Sequence, residues 1–348
     1  MYRARIPSRR NGVLRIFVTG GTGLVGSHAI ERLVGEGHEV QAMTRSEAGD
    51  RFVEGLGAQA VRGSVEDRAS WEAAGGSHVI IHAAALVTAP TTWDDYRQVN
   101  VDGTRHATGM AARVGARLVH VSSVAVYGRQ PLSDHRDRVI EDVGFAPLAE
   151  ADYYARSKRE AEKVLWEAAD RHGVSAVAIR PCVIYGERER LFMSRLLAVL
   201  RYGIVPLVGT GENQLAMVYV GNVIDAILKA LERPKVTGPF NTTNDGGITQ
   251  RDFYEIVAEE MGQRLRMVKV PLSAAVVAGK AWHFVSRLRQ PGRYTGLGSS
   301  SGRFMARENP YSSDRAEREL DWIPSTAPHE ALRQTVRWFM AERDQEAS

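Results

Sequence analysis

A doubly wound α/β fold with a parallel central sheet and a smaller second lobe is what this sequence predicts, on three observations. Short apolar runs alternate with stretches of helical spacing through the first half of the chain. A glycine-rich turn joins the first run to the first helix. After residue 181 the alternation loosens into a less regular segment. Apolar strands alternating with helices argue for a sheet buried on both faces and closed by right-handed crossovers.

Residues 14–19, "LRIFVT", predict the first strand, and Leu24, Ala29, Ile30, Leu33 and Val34 recur at helical spacing behind it. "HEVQAMT" predicts the second strand. The rhythm continues with a strand over 58–63, a short helix over 67–76, a strand over 78–84 and a helix over 96–114. A strand over 117–123, a long helix over 153–171 and a strand over 175–181 complete the regular part.

Beyond it, residues 190–203 read as a helix, and 215–231 as a strand running into a helix that returns to the main sheet. "GPFNTTNDGGITQRDFYEIVAEEMG" reads as strand, turn and helix, with Thr249 as the cap. Residues 268–289 are apolar and helix-prone, 292–303 form a glycine and serine loop, and 314–320 and 328–342 fit closing helices. The expected layout is a flexible basic arm (1–12), a nucleotide-binding lobe (13–181, with 215–234 returning to it) and a second lobe (182–214 and 235–345).

Composition narrows the function classes. The chain has 348 residues, 44% apolar and 25% charged, which suits a globular protein with a full core. The net charge of +4 is small for this length, so composition does not point to nucleic acid. No run approaches the roughly 20 apolar residues of a membrane span. Cys182, alone of its kind, excludes an intrachain disulfide and fits a reducing, cytoplasmic setting.

The glycine turn carries the first chemical signal. "VTGGTGLVG" sets Gly20, Gly23 and Gly26 between strand and helix, followed by Leu24 and Val25 at the helix start. One glycine allows a tight turn, one lets backbone approach a pyrophosphate, and one lets helix and sheet pack closely. The free N–H groups of the helix N-terminus favour an anion. This is the arrangement of a Rossmann-type nucleotide site, and no Walker-type Gly-Lys-Ser/Thr follows. At the end of the second strand stand Thr44 and Arg45, with no acid to read a ribose 2′-hydroxyl. Arg45 can instead pair with a 2′-phosphate, which favours NADP over NAD. Ser64 and Val65 are candidate adenine contacts.

Beyond the loop, "HAAA" (82–85), "VNVDGT" (99–104), "VSSVAVYG" (121–128), "YYARSK" (153–158) and "RPCVIYG" (180–186) occur in order. With "TGGTGLVG" they resemble the extended short-chain dehydrogenases/reductases of the epimerase/dehydratase superfamily over about residues 14–235. The resemblance implies an NAD(P)-dependent enzyme in which Ser123, Tyr154 and Lys158 act together. It also implies cofactor contacts from Ala83, Ala84, Ala85, Asn100, Val121, Lys158, Pro181 and Val183.

The residues agree with that implication. Of two adjacent tyrosines, Tyr154 shares a helix face with Lys158 and Tyr153 does not. A tyrosine alone is a weak base, and a nearby ammonium favours its phenolate. Ser123 is suited to stabilise charge on a substrate oxygen. Ser122 is expected to bond locally, and Tyr127 and Tyr185 to pack or anchor loops. His78, His82 and His120 have no acidic or cysteine partner at metal-ligand spacing, so no metal is expected.

For the substrate, "PLSAAVVAGKAWHFVSRL" offers apolar surface with Trp282 and Phe284, and the resemblance extends to 3β-hydroxysteroid dehydrogenases and dihydroflavonol-reductase-like proteins. The expected reaction interconverts a bulky apolar secondary alcohol and its ketone. The alternative is a nucleotide-sugar epimerase or dehydratase with tightly bound NAD, using Arg188, Arg190, Arg195, Arg251 or Arg293 for the diphosphate. Val124 and Ala125 beside Ser123 speak against a dehydratase, which would add a carboxylate there. A redox-sensing binding protein is a third class. The resemblance also implies a possible homodimer, and the helix with Ala161, Val164, Leu165 and Ala168 offers a stripe for it.

Overall fold

The computed structural model describes residues 12–87, 91–128, 130, 138–243, 246–271, 273–274 and 307–346. The arm expected over 1–12 lies outside the described residues apart from Gly12. The loop expected over 292–303 and most of the helix expected over 268–289, with Trp282 and Phe284, lie outside them too.

Six strands follow the predicted rhythm: β1 (Arg15–Thr19), β2 (Glu39–Thr44), β3 (Gln59–Arg62), β4 (Val79–His82), β5 (Arg117–Val121) and β6 (Ala176–Pro181). With β10 (Gly238–Thr242) they form one seven-stranded sheet in the order β3-β2-β1-β4-β5-β6-β10. Every neighbouring pair is parallel. The chain starts in the middle of the sheet, builds outward to β3, and then crosses to the other half. The strand order therefore reverses beside β1, which is where a doubly wound sheet opens a crevice for ligands.

Alternation along the strands sorts the core into two layers. Ile16, Val18, Ile81, Val119, Val177 and Ile179 face α1 (Leu24–Gly35) and α7 (Val220–Glu232). Phe17, Ile80, Leu118 and Ala176 face the other way, toward α4 (Gly103–Val114) and α5 (Tyr153–His172). Ala161 and Leu165 of the α5 stripe are buried within this monomer, so the sheet accounts for them. A separate core under the second lobe gathers α6 (Met193–Leu200), α8 (Gln250–Glu260) and α9 (Pro328–Glu346) around Met193, Phe253, Val257 and Leu332.

Three elements depart from the sequence reading. The strand expected to bring residues 215–219 back to the main sheet is β9 (Met217–Tyr219), and it pairs with β7 (Val183–Tyr185) in a small ribbon of its own. Only α7 returns, by packing its apolar face on α1 and β6. The seventh strand of the main sheet is β10, which lies inside the stretch assigned to the second lobe. Its buried Phe240 continues the main core.

The second departure is at 266–270. The run expected to open a helix is instead β11 (Arg266–Val270), parallel to β8 (Ile204–Val208). The β-branched Val268 and Val270 favour the extended form, and β8 supplies the partner.

The third is the helix expected over 96–114. It begins at Trp93, where Thr92 and Asp95 form a reciprocal capping box. It then passes through a π-helical stretch, Arg97–Asp102, before α4. Such stretches insert extra backbone and often mark functional positions. Asn100 sits in it.

Thr249 does cap α8, again in a box with Asp252.

Candidate active site

Parallel strands deliver their C-terminal ends to one edge of the sheet. Gly20 after β1, Thr44 at the end of β2, Ser64 after β3, Ala83 after β4, Ser123 after β5 and Pro181 at the end of β6 all lie along it.

The glycine turn is built too tightly for side chains. Gly20 has φ +73°, and a Cβ there would stand 2.7 Å from the Ala84 nitrogen. A Cβ on Gly26 would stand 2.1 Å from the Gly20 carbonyl oxygen. The Gly23 amide donates to that same oxygen at 2.9 Å. Gly23 is the N-cap of α1 and brings no side chain to it, and the first turn holds no acid. The amides around Leu24 and Val25 therefore remain available to an anion. This cradle fits the pyrophosphate of a dinucleotide.

At the ribose end, Thr44 is buried and its hydroxyl donates to Asp50. Asp50 also pairs with Arg62, and these two bonds hold its carboxyl below the usual range. Asp50 is thus held as one half of an ion pair. Arg45 is exposed and takes part in no ion pair among the described residues. The Ser64 hydroxyl donates to Glu66 at 2.7 Å. Val65 is buried under α4, and its carbonyl accepts the Trp71 indole at 3.1 Å. Ala83 and Ala84 lie against Thr19, whose hydroxyl accepts the Ala84 amide at 3.3 Å. Ala85 follows them, half-buried, on the same loop.

Asn100 holds this loop to α5. Its side-chain amide donates to the Leu86 carbonyl at 2.9 Å and to the Ser157 hydroxyl at 2.8 Å, and its oxygen accepts the Leu86 amide at 2.7 Å. All three contacts are to protein, and they use both the amide nitrogen and the oxygen of the side chain to fix the loop. Pro181 is level with Thr242 of β10. Val183 is partly exposed just beyond it, and its amide donates to the Ala216 carbonyl at 3.1 Å.

Ser123, Tyr154 and Lys158 come together above this edge. The Ser123 hydroxyl accepts the Ala125 amide at 3.2 Å and lies close enough to the Tyr154 hydroxyl to pull its pKa down. Asp152 caps α5 by accepting the Ala155 amide, which fixes where the helix starts and so where Tyr154 falls. One turn on, the buried Lys158 ammonium donates to the Val121 carbonyl at 2.7 Å.

Burial pushes the Tyr154 hydroxyl up to about 12, against the opposing influence of Ser123. Burial pulls Lys158 down to about 8, against the opposing charge of Glu162. The phenolate-favouring effect expected from Lys158 is not what sets Tyr154 here. Desolvation outweighs it, and the ammonium is turned to Val121.

Tyr153 points elsewhere. Its ring lies 6.1 Å from the rings of both Trp93 and Tyr96.

A second set of residues escaped the sequence reading. Ser122 bonds not locally but to Glu162, forty positions on. Glu162 forms a fully buried ion pair with Arg180, at 2.9 Å from Nε and 2.5 Å from Nη2. Arg180 Nη1 donates to the Tyr127 hydroxyl at 2.8 Å, and Tyr127 donates to Asn241 of β10 at 2.7 Å. This network ties α5 to β5, β6 and β10 one turn below Lys158. Two signals stood in the sequence: an acid four residues after Lys158, and an arginine inside an otherwise apolar strand.

His82 and His120 stack with ring centroids 5.5 Å apart, in register on adjacent strands. Burial and the nearby Lys158 charge keep both neutral, with His82 lowered to about 3. Among the described residues no group of three or more His, Cys, Asp or Glu could hold a metal.

The arginines proposed for a diphosphate are partly committed. Arg188 pairs with Glu31 on α1, and Arg251 with Glu212 at 3.0 Å. Arg190 is exposed. The side chain of Arg195 and all of Arg293 lie outside the described residues.

A glycine cradle under a helix end, with serine, tyrosine and lysine at the crevice of a doubly wound sheet, defines an enzyme of the extended short-chain dehydrogenase/reductase type. The model of the NAD dependent epimerase/dehydratase family matches residues 16–244, and the chain belongs to that family. A ketoreductase of 4-hydroxy-2-methyl-3-oxo-4-farnesyl-3,4-dihydroquinoline-1-oxide from Stigmatella aurantiaca is 30% identical over 324 residues, 92% of this chain and 95% of the relative. A ceramide reductase from Caulobacter vibrioides is 28% identical over 94% of each chain. Among solved structures, UDP-glucuronic acid 4-epimerase from Bacillus cereus, in complex with NAD, superposes with a TM-score of 0.72 at 17% identity, covering 94% of this chain and 99% of its own. At that identity the likeness concerns the fold.

Proposed function

We propose that this enzyme interconverts a bulky, apolar secondary alcohol and its ketone, using NADP in preference to NAD. The observation that carries the reaction is Tyr154 standing beside Ser123 at the end of β5, with Lys158 one helix turn on along α5. With its pKa near 12, Tyr154 keeps its proton at neutral pH and can give it to a substrate oxygen. Ser123 donates to the same oxygen and stabilises the charge that develops on it. Lys158 holds a positive charge beside the site, and beyond the bond to Val121 its ammonium has further N–H donors to offer a ribose hydroxyl. A bound nicotinamide dinucleotide supplies or accepts the hydride at the carbinol carbon.

The substrate class rests on the relatives and on what surrounds Ser123. The two reductases above act, by their names, on a farnesylated ring ketone and on a ceramide. Val124 follows Ser123 and is buried, with no carboxylate in the place a dehydratase would want one. The cofactor preference rests on Arg45 being uncommitted and on Asp50 being neutralised by Thr44 and Arg62.

The test is a purified-protein assay with NADPH and NADH against prenylated or long-chain ketones and against UDP-sugars. NADPH consumed in step with ketone supports the proposal. A UDP-sugar epimerised with no net change in cofactor would replace it with the nucleotide-sugar reading.

A further inference from the structure

Charge is unevenly distributed along this chain. The whole sequence holds 45 Lys and Arg against 41 Asp and Glu. Two stretches, 190–211 and 261–307, hold 12 of those cations and no acid at all, leaving 33 cations against 41 acids elsewhere. The small net charge thus conceals a strongly basic part and an acidic remainder.

The fold brings the described parts of these stretches together, because β8 and β11 are parallel partners. In parallel pairing, residues in register share a face. Ile204 is level with Arg266, and Pro206 with Val268. All four are exposed, whereas Val205 and Leu207 point inward to the second core. Tyr202, at the entry to β8, is 84% exposed, Ile204 56% and Val268 43%. Arg201 and Arg264 flank them, exposed, and with Arg266 they enter no ion pair among the described residues. The outer face of this ribbon is therefore apolar in the middle and cationic around it.

We propose that this face docks the enzyme on a membrane surface containing anionic lipid. A headgroup layer takes both components at once: aliphatic and tyrosine side chains enter the interface, and cations meet lipid phosphate. A nucleic acid would use the cations and Tyr202 but gain nothing from Ile204, Pro206 and Val268, which offer no stacking face. The enzyme lies on the bilayer and does not cross it. The inference stands independently of the substrate assigned above.

The experiment is cosedimentation of the full chain with vesicles of phosphatidylcholine alone or with one-third phosphatidylglycerol, at low and high salt. Binding is expected with the mixed vesicles only, and to weaken with salt. Arg264→Gln with Arg266→Gln should weaken partitioning roughly 25-fold, at about fivefold per cation. Arg201→Gln with Arg266→Gln should do the same with one substitution at the entry to the other strand. Tyr202→Ser with Ile204→Ser should abolish the binding that survives high salt. Unchanged dinucleotide binding in each variant establishes that it is folded. Three results would overturn the proposal: no binding to mixed vesicles, equal binding to both kinds, or insensitivity to all three double variants. Displacement from vesicles by a generic oligonucleotide, or loss of a dimer in Tyr202→Ser with Ile204→Ser, would reassign the face and overturn it too.

Discussion

Glu162 and Arg180 face each other in the core with carboxylate and guanidinium 2.5 Å apart, each almost wholly shielded from solvent. One stands on α5 and the other on β6, so their pairing sets the rotation of the helix that carries Tyr154 and Lys158. Removing one partner strands the other charge in the interior. Glu162→Ala is expected to cost about 3–5 kcal/mol in chemical denaturation. Glu162→Leu with Arg180→Met should recover most of that loss, since apolar side chains of similar volume often replace a buried pair at little cost. A single variant as stable as the parent would refute this view of the pair.

Tyr154→Phe should abolish turnover while dinucleotide affinity stays within about twofold, because the ring remains and only the proton is lost. Tyr153→Phe should be nearly silent, since that ring packs against Trp93 and Tyr96. Steady-state rates and a cofactor fluorescence titration read both. Full activity in Tyr154→Phe would end the assignment.

The pH profile should carry the signature of Lys158. Its lowered pKa means the ammonium predominates below about pH 8 and is lost above it. Ketone reduction is therefore expected to fall about tenfold per pH unit beyond that point. Arginine does not deprotonate in this range, so Lys158→Arg should remove the alkaline limb whatever its absolute rate.

Gly26→Ala is expected to destroy dinucleotide binding. Its Cβ would meet the backbone oxygen of Gly20, which cannot move without unwinding the turn. A melting curve should show a loss of about 1–3 kcal/mol as well. An alanine variant with normal cofactor affinity would contradict the cradle.

Arg45→Ala should weaken NADP roughly tenfold to a hundredfold, the value of a charge-assisted contact, and leave NAD unaffected. Isothermal titration with each dinucleotide, or with 2′,5′-ADP against 5′-AMP, separates the two. Equal losses for both would remove Arg45 from the 2′-phosphate.

Much of this site was legible in the sequence because it is encoded locally. Gly20, Gly23 and Gly26 follow an apolar strand directly, and the i,i+4 spacing of Tyr154 and Lys158 selects one of two tyrosines without any tertiary knowledge. Ser122 and Asn100 mark where such reading stops. Each is a short polar side chain with several local partners to choose from. Only the packing of α5 against β5 gives Ser122 to Glu162, and only the loop after β4 gives Leu86 to Asn100.

By itself the sequence determined the alternating elements and the glycine turn between the first strand and helix, and its spacing and family resemblance singled out Ser123, Tyr154 and Lys158 as candidates. Strand and helix periods, turns and caps depend on neighbours a few residues apart. Tertiary structure alone decided that 238–242 is the seventh strand, that β8 and β11 expose an apolar and basic face, and that Lys158 turns its ammonium to Val121. It also decided the burial that separates the Tyr154 and Lys158 pKa values. These features join surfaces tens to hundreds of residues apart, and their energies depend on which groups meet and how much water is left between them.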